Sequence, residues 1–189
     1  MRYLDILDCD LTNGQGVRVT LFVSGCNHHC KGCQNPESWN PNNGKEFTDE
    51  TKQKLFKLLE RDYIDGISYS GGDPLFPSNR DTLTQLAKEI KERFPNKTQW
   101  LWTGYKYEEI KDLEIIKYLN VLIDGEYVEE LRDLSLPYRG SSNQRIIWFS
   151  GPYPTDEYWF DVDTEHDANG NPIFLQHVHI VDKDNKVME

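Results

Sequence analysis

The sequence has no run of eighteen apolar residues, so it contains no stretch that reads as a membrane-spanning helix. Its first ten residues, MRYLDILDCD, carry acids where a signal peptide carries an apolar core, and the expected location is the cytoplasm. Basic residues are scarce: 21 Lys and Arg stand against 32 Asp and Glu, for a formal net charge of -11. No basic stripe is present to follow a phosphate backbone, so nucleic-acid binding is not expected. Cysteine is also scarce, with four in 189 residues, and three of those are crowded together. That crowding, without a secretory leader, argues against a disulfide framework. Internal repeats and low-complexity tracts are missing as well.

The crowded cysteines are Cys26, Cys30 and Cys33, spaced C-x3-C-x2-C. The apolar run Val19 to Val23 leads into them through Ser24 and Gly25, so a strand delivers three thiolates at its carboxyl end. Three close thiolates suit a soft metal. An iron–sulfur cube takes a cysteine on each of four irons, so three cysteines leave one iron open for chemistry. The alternative is a structural zinc with His28 or His29 as the fourth ligand, but the second C-x2-C pair common to such sites is absent.

Around this loop the chain alternates strands with helices. Thr48 reads as an N-cap for a helix ending near Asp62, with Leu55, Phe56, Leu58 and Leu59 on its apolar face. Ile64 to Ser70 reads as a strand, residues 79 to 93 as a helix, and Thr98 to Thr103 as a strand. Glu108 to Leu119 is expected to be a third helix, Val121 to Ile123 a strand and Gln144 to Phe149 another. The pattern predicts an α/β fold with a parallel sheet. Ligands in such sheets bind beyond the carboxyl ends of strands. The cysteine loop, Gly71-Gly72-Asp73, Thr103-Gly104-Tyr105 and Asp124-Gly125 all follow strands and are expected to meet on one rim.

At these residues the sequence resembles the glycyl-radical-enzyme activases of the radical S-adenosylmethionine (SAM) superfamily. The matching stretches are Asn13-Gly14-Gln15-Gly16-Val17-Arg18, Leu21-Phe22-Val23-Ser24-Gly25-Cys26 and Cys30-Lys31-Gly32-Cys33-Gln34-Asn35. Gly71-Gly72-Asp73-Pro74-Leu75, Trp100-Leu101-Trp102-Thr103-Gly104-Tyr105, Ile123-Asp124-Gly125 and the stretch from Arg139 to Arg145 continue the match in the same order. The branch it is most similar to serves anaerobic ribonucleoside-triphosphate reductase; pyruvate formate-lyase activases and small-molecule radical SAM enzymes are the rival branches. The resemblance covers roughly residues 1–148. It implies an incomplete, open (β/α) barrel, which periodicity alone does not separate from a doubly wound sheet. It also implies a [4Fe-4S] cluster on Cys26, Cys30 and Cys33, and reductive cleavage of SAM to a 5′-deoxyadenosyl radical. A glycyl radical on the reductase and a reductant such as flavodoxin complete the implied system, and no residue need act as a general acid or base. SAM contacts are implied from Gly32, Cys33, Gln34, Gly71, Gly72, Asp73, Thr103 and Asp124. The sequence departs from the family in two places: Gln15 where proline is frequent and Asp73 where many relatives have glutamate; Gly32 stands where many other radical SAM proteins have an aromatic, as it does in the reductase-serving branch.

Several residues admit two readings. Cys9 is expected to be a small buried thiol rather than a ligand. Asp124 either holds a cation or orients SAM, or simply caps a turn. Trp100 and Trp102, at alternate positions, are candidates for core and partner contact. Arg139 and Arg145 are candidate contacts to the reductase, or solvated surface charges. The reading divides the chain into residues 1–149, an activase domain, and 150–189, an extension. The extension holds nine acids and two bases, which is seven of the eleven net negative charges. In it Ile173 to Leu175 and His177 to Val181 read as a hairpin, with His177 and His179 on one strand face.

Overall fold

A computed structural model describes residues 1–149, together with the backbone of 179–181 and 187–188. The expected hairpin strand Ile173 to Leu175, the side chains of His177 and His179, and most of the extension lie outside the described residues. One mixed sheet organises the chain, in the order β3-β1-β2-β4-β5-β6-β7-β8-β9. Its centre is four parallel strands: β2 (Arg18–Val23), β4 (Gly66–Gly71), β5 (Thr98–Trp102) and β6 (Val121–Asp124). These are nearly wholly buried runs, as strands covered on both faces must be. The sheet is not fully parallel, contrary to expectation. β1 (Arg2–Asp10) pairs antiparallel with β2, and the two-residue β3 (Lys45–Glu46) pairs antiparallel with β1 at the edge. β7 (Arg145–Trp148) pairs antiparallel with β6. A parallel return needs a substantial crossover, usually helical, and residues 125–144 supply only a single 3-10 turn at Glu129–Leu131. β8 (His179–Val181) pairs with β7 on one side and with β9 (Val187–Met188) on the other.

The helices close one face of this sheet. α1 (Asp49–Leu59) begins at Thr48, whose hydroxyl accepts from Thr51 N–H at 3.3 Å, with Asp49 and Glu50 in the first turn. α2 (Arg80–Arg93) buries Leu83, Leu86, Ala87 and Ile90. The predicted third helix is broken into α3 (Tyr107–Ile110) and a 3-10 helix at Glu114–Tyr118. The reason is in the spacing: Ile110, Leu113, Ile116 and Leu119 recur every three residues, the period of the tighter helix. Side chains from all these helices share one core with Val19, Leu21, Ile67, Tyr69, Leu101, Leu122 and Ile147. Alternation along each strand sends Arg18, Thr20, Ser68, Trp100, Ile123 and Trp148 to the opposite face. There a second cluster gathers Trp100, Val121, Ile123, Ile146 and Trp148. Trp100 and Trp102, two residues apart, share that face and stack at 5.9 Å, Trp100 buried in the cluster and Trp102 partly buried against it.

Arg18 fastens the inner face. It is fully buried and donates to Ser68 Oγ at 2.7 Å, Thr98 Oγ1 at 2.8 Å and the carbonyls of Gln15, Ile67 and Thr98, with its guanidinium over Trp100. All five donors of the guanidinium are used, tying β2, β4 and β5 together. Burial pulls its pKa down to about 9, partly offset by the charge of Asp65. Arg18→Ala strands several buried acceptors at once. We expect it to cost at least about 3 kcal/mol, read as a lower urea midpoint at unchanged slope.

Cys9 corrects its expectation. On β1 the buried positions are Ile6 and Asp10, and Cys9 points outward and is exposed. Asp10, facing in, accepts from Thr20 Oγ1 at 2.6 Å, Asn13 Nδ2 at 2.6 Å and Thr12 N–H at 2.8 Å. Burial pushes its pKa up, but these donors outweigh that and hold it down to about 2. The result is a pinned turn ahead of β2.

Candidate metal centre

The four parallel strands end at one rim, and the site is built from the loops that follow them. After β2, the Gly25 amide donates to Ser38 O at 2.7 Å and the Cys26 amide to Trp39 O at 3.1 Å. These bonds fold the cysteine loop back onto the 3-10 turn Pro36–Ser38. After β4, the Gly72 amide donates to Val23 O at 2.8 Å and the Asp73 amide to Gly25 O at 2.7 Å. The glycine turn is thus stitched to the root of the cysteine loop. Gly71 has φ +108, a backbone conformation that side chains with a Cβ rarely adopt. At Gly72 a Cβ would stand 2.5 Å from Gly25 O.

Cys26, Cys30 and Cys33 are half-buried, free, and line one cavity of about 230 Å³. Burial pushes the Cys26 and Cys30 thiols up, opposed at Cys26 by the backbone amides of His28 and His29 and at Cys30 by that of Tyr127. The Asn35 amide donates to Cys33 Sγ at 3.4 Å. Sulfurs dressed by backbone N–H groups are suited to carrying negative charge on a metal. Trp39 lines the same cavity, and its indole N–H is buried without an acceptor. An orphaned donor beside three thiols is what a sulfide-bearing group would satisfy.

Of the residues expected at the site, Gln34, Gly72, Asp73 and Thr103 line this cavity with the cysteines. Gly32, Gly71 and Asp124 do not. Asp124 is fully buried and accepts from Tyr107 N–H at 2.7 Å and from the guanidinium of Arg145, bordering a separate groove of about 800 Å³. Arg145 also pairs with Glu108 at 2.8 Å, which holds the Glu108 carboxyl down to about 2. Arg139 is buried as well. Neither arginine is a solvated surface charge, and Arg145 has its acids already in hand. Asp73, 1 % exposed, is the most densely bonded group on the rim. It accepts from Leu75 N–H at 2.8 Å, Thr103 Oγ1 at 2.9 Å, Gly104 N–H at 3.0 Å and His28 Nε2 at 2.9 Å. His28 Nδ1 lies 2.8 Å from Glu126, and the hydrogen bond to Asp73, then that to Glu126, raise the His28 pKa to about 9 against the cost of burial.

The histidines bear on the zinc alternative. Both His28 nitrogens are held by carboxylates, and His29 packs edge-on against Trp39. Among the described residues no three His, Cys, Asp or Glu side chains are grouped to hold a metal ion.

Residues 12–147 match the 4Fe-4S single cluster domain family. The anaerobic ribonucleoside-triphosphate reductase-activating protein of Enterobacteria phage T4 is 48% identical over 159 residues, 84% of this chain and 98% of the relative. The chain belongs to the family of these activating proteins. The proteins of the same name from Salmonella typhimurium LT2 and Escherichia coli K12 are 45% and 43% identical over 150 residues, each covering 77% of this chain and 97% of the relative. A [4Fe-4S] cluster is the group that this domain family carries, and the thiols, amides and orphaned indole on this rim fit such a group.

Sequence reasoning missed part of the rim. Trp39, Trp102, Tyr127, Tyr138, Gly140 and Gln144 all line the cavity. A signal existed for Gly140 and Gln144, which lie in the matched stretch from Arg139 to Arg145. Tyr138 carries φ +56, rare for a residue with a side chain, and no sequence pattern announces it.

Proposed function

We propose that this chain is a radical SAM activase that generates the glycyl radical of anaerobic ribonucleoside-triphosphate reductase. The observation that carries the reading is the convergence of Cys26, Cys30 and Cys33 with Gly72, Asp73 and Thr103 on one cavity at the carboxyl ends of parallel strands. When bound there, a reduced [4Fe-4S] cluster supplies the electron that splits SAM into methionine and a 5′-deoxyadenosyl radical, which takes a hydrogen atom from a backbone glycine. The chain's own residues hold and shield. Cys26, Cys30 and Cys33 would hold the cluster through their thiolates. Trp39 and the amide of Asn35 temper the charge on sulfur. Gly72 lets the main chain come close to the methionyl end of SAM, and Asp73 and Thr103 offer oxygens to its ammonium. Gln34 lies at the open side. Gly32, Gly71 and Asp124 we assign to shaping the loops behind the contact residues.

The architecture we read as an incomplete (β/α) barrel of the radical SAM type. Its support is the strand order, which runs β2-β4-β5-β6 in one direction with helices packed on one face, where a doubly wound sheet would reverse. Within that barrel residues 1–149 form the activase domain, and 150–189 extend it. An external one-electron donor such as flavodoxin in the cytoplasm completes the proposed system. No helix among the described residues is long and apolar enough to cross a membrane.

Mixing the iron-loaded protein anaerobically with the reductase, SAM and a reductant tests this. The expected result is a glycyl-radical signal on the reductase, with about one 5′-deoxyadenosine formed per radical. A radical that forms on pyruvate formate-lyase instead would move the chain to the rival branch.

A further inference from the structure

We propose that His28 is a positioning residue, an imidazole strut that fixes the Asp73 carboxylate by joining the loops after all four parallel strands. The inference rests on the site reading above but concerns a residue which that reading leaves without a task. His28 belongs to the loop after β2. Its Nε2 meets Asp73 Oδ2, after β4, at 2.9 Å. Its ring stands edge-on to Tyr105, after β5, at 4.7 Å. Its Nδ1 meets Glu126, after β6, at 2.8 Å. The fit is tight: a Cβ at Gly104 would lie 2.5 Å from the His28 ring. His28, Gly104 and Gly125 also line both the cysteine cavity and the neighbouring groove, so the imidazole stands in the wall between them.

Two consequences follow from chemistry. The first concerns rotation: four donors hold Asp73, but only His28 reaches it from the cysteine loop, so His28 couples that loop's position to the carboxylate's orientation. The second concerns the partners: an imidazole with a carboxylate on each nitrogen cannot also ligate a metal, which leaves the cluster to the three thiolates. Glutamine at position 28 can donate one N–H toward Asp73 but cannot span to Glu126 as a rigid ring does. Alanine does neither.

The test compares His28→Ala, His28→Gln, Asp73→Asn and the His28→Ala/Asp73→Asn double variant in the full chain. Urea unfolding, with iron measured in each sample, gives a coupling between the two side chains whether or not iron is present. We expect the effects to be non-additive by about tenfold in the unfolding equilibrium. In the iron-loaded protein, SAM half-saturation is read from the SAM-induced change in the reduced-state spectrum. His28→Ala is expected to keep its iron and weaken SAM by about tenfold, or 1.4 kcal/mol, with His28→Gln recovering part of that loss. Additive unfolding effects, or unchanged SAM half-saturation in His28→Ala, would overturn the strut. So would loss of iron from both His28 variants, which would make His28 a support of the cluster rather than of Asp73. A wild-type protein without iron would sink the activase reading, while the unfolding cycle would still decide the strut.

Discussion

Replacing Cys26, Cys30 or Cys33 singly with alanine is expected to strip the iron and end SAM cleavage, whereas Cys9→Ala keeps both. The three sulfurs face one cavity, and Cys9 lies on the outer face of β1, exposed. Loss of a mere outer partner of a metal ligand costs about 10–100-fold in metal affinity or activity, so loss of a ligand should exceed a hundredfold. The backbone sets these positions, with the Cys26 amide donating to Trp39 O and the Cys33 amide to Cys30 O. Iron analysis after anaerobic loading and the yield of 5′-deoxyadenosine are the readouts. A Cys9→Ala protein that loses its iron, or a Cys30→Ala protein that keeps it, would show that the donor set is wrongly assigned.

Asp73→Asn should be the most damaging change that spares the cysteines. The carboxylate accepts on both oxygens: Leu75 N–H and Thr103 Oγ1 on one, Gly104 N–H and His28 Nε2 on the other. An amide can turn either way, and in both orientations its NH2 faces a backbone N–H. One buried donor pair is therefore always opposed. The expected cost is about 2–4 kcal/mol in unfolding free energy. Movement of the turn that faces SAM adds a loss of order a hundredfold in 5′-deoxyadenosine formation. Equal stability of wild type and Asp73→Asn would mean that the rim does not depend on this carboxylate. Loss of stability with full SAM cleavage would leave Asp73 a structural brace and remove it from the proposed contacts.

The meeting of the site's loops on one rim was legible because each follows a strand, and strand ends in an α/β sheet meet. Val19 to Val23, Ile64 to Ser70 and Val121 to Ile123 carry that pattern openly, and residues that follow each of them line one cavity. Direction was less legible. Nothing in Arg145-Ile146-Ile147-Trp148 distinguishes a parallel from an antiparallel strand; the answer lies in the preceding twenty residues, which lack a crossover helix. The third helix was misjudged because apolar residues three apart satisfy helical spacing locally while drifting around a true α-helix. Cys9 was misplaced because a lone thiol says little about facing, which the register of β1 on β2 decides. Arg145 looked like a surface charge until the fold brought Asp124 and Glu108 to it from 21 and 37 residues away. Partnerships of that kind are set by tertiary contact, and so is the His28 contact with Asp73, 45 residues distant.

The proposed function requires a cluster held by Cys26, Cys30 and Cys33 that SAM can reach. Its most direct test is electron paramagnetic resonance of the anaerobically iron-loaded, dithionite-reduced protein, recorded with and without SAM. The expected result is the signal of a reduced [4Fe-4S] cluster whose shape changes when SAM is added. A protein that binds no iron, or a cluster signal indifferent to saturating SAM, would contradict it.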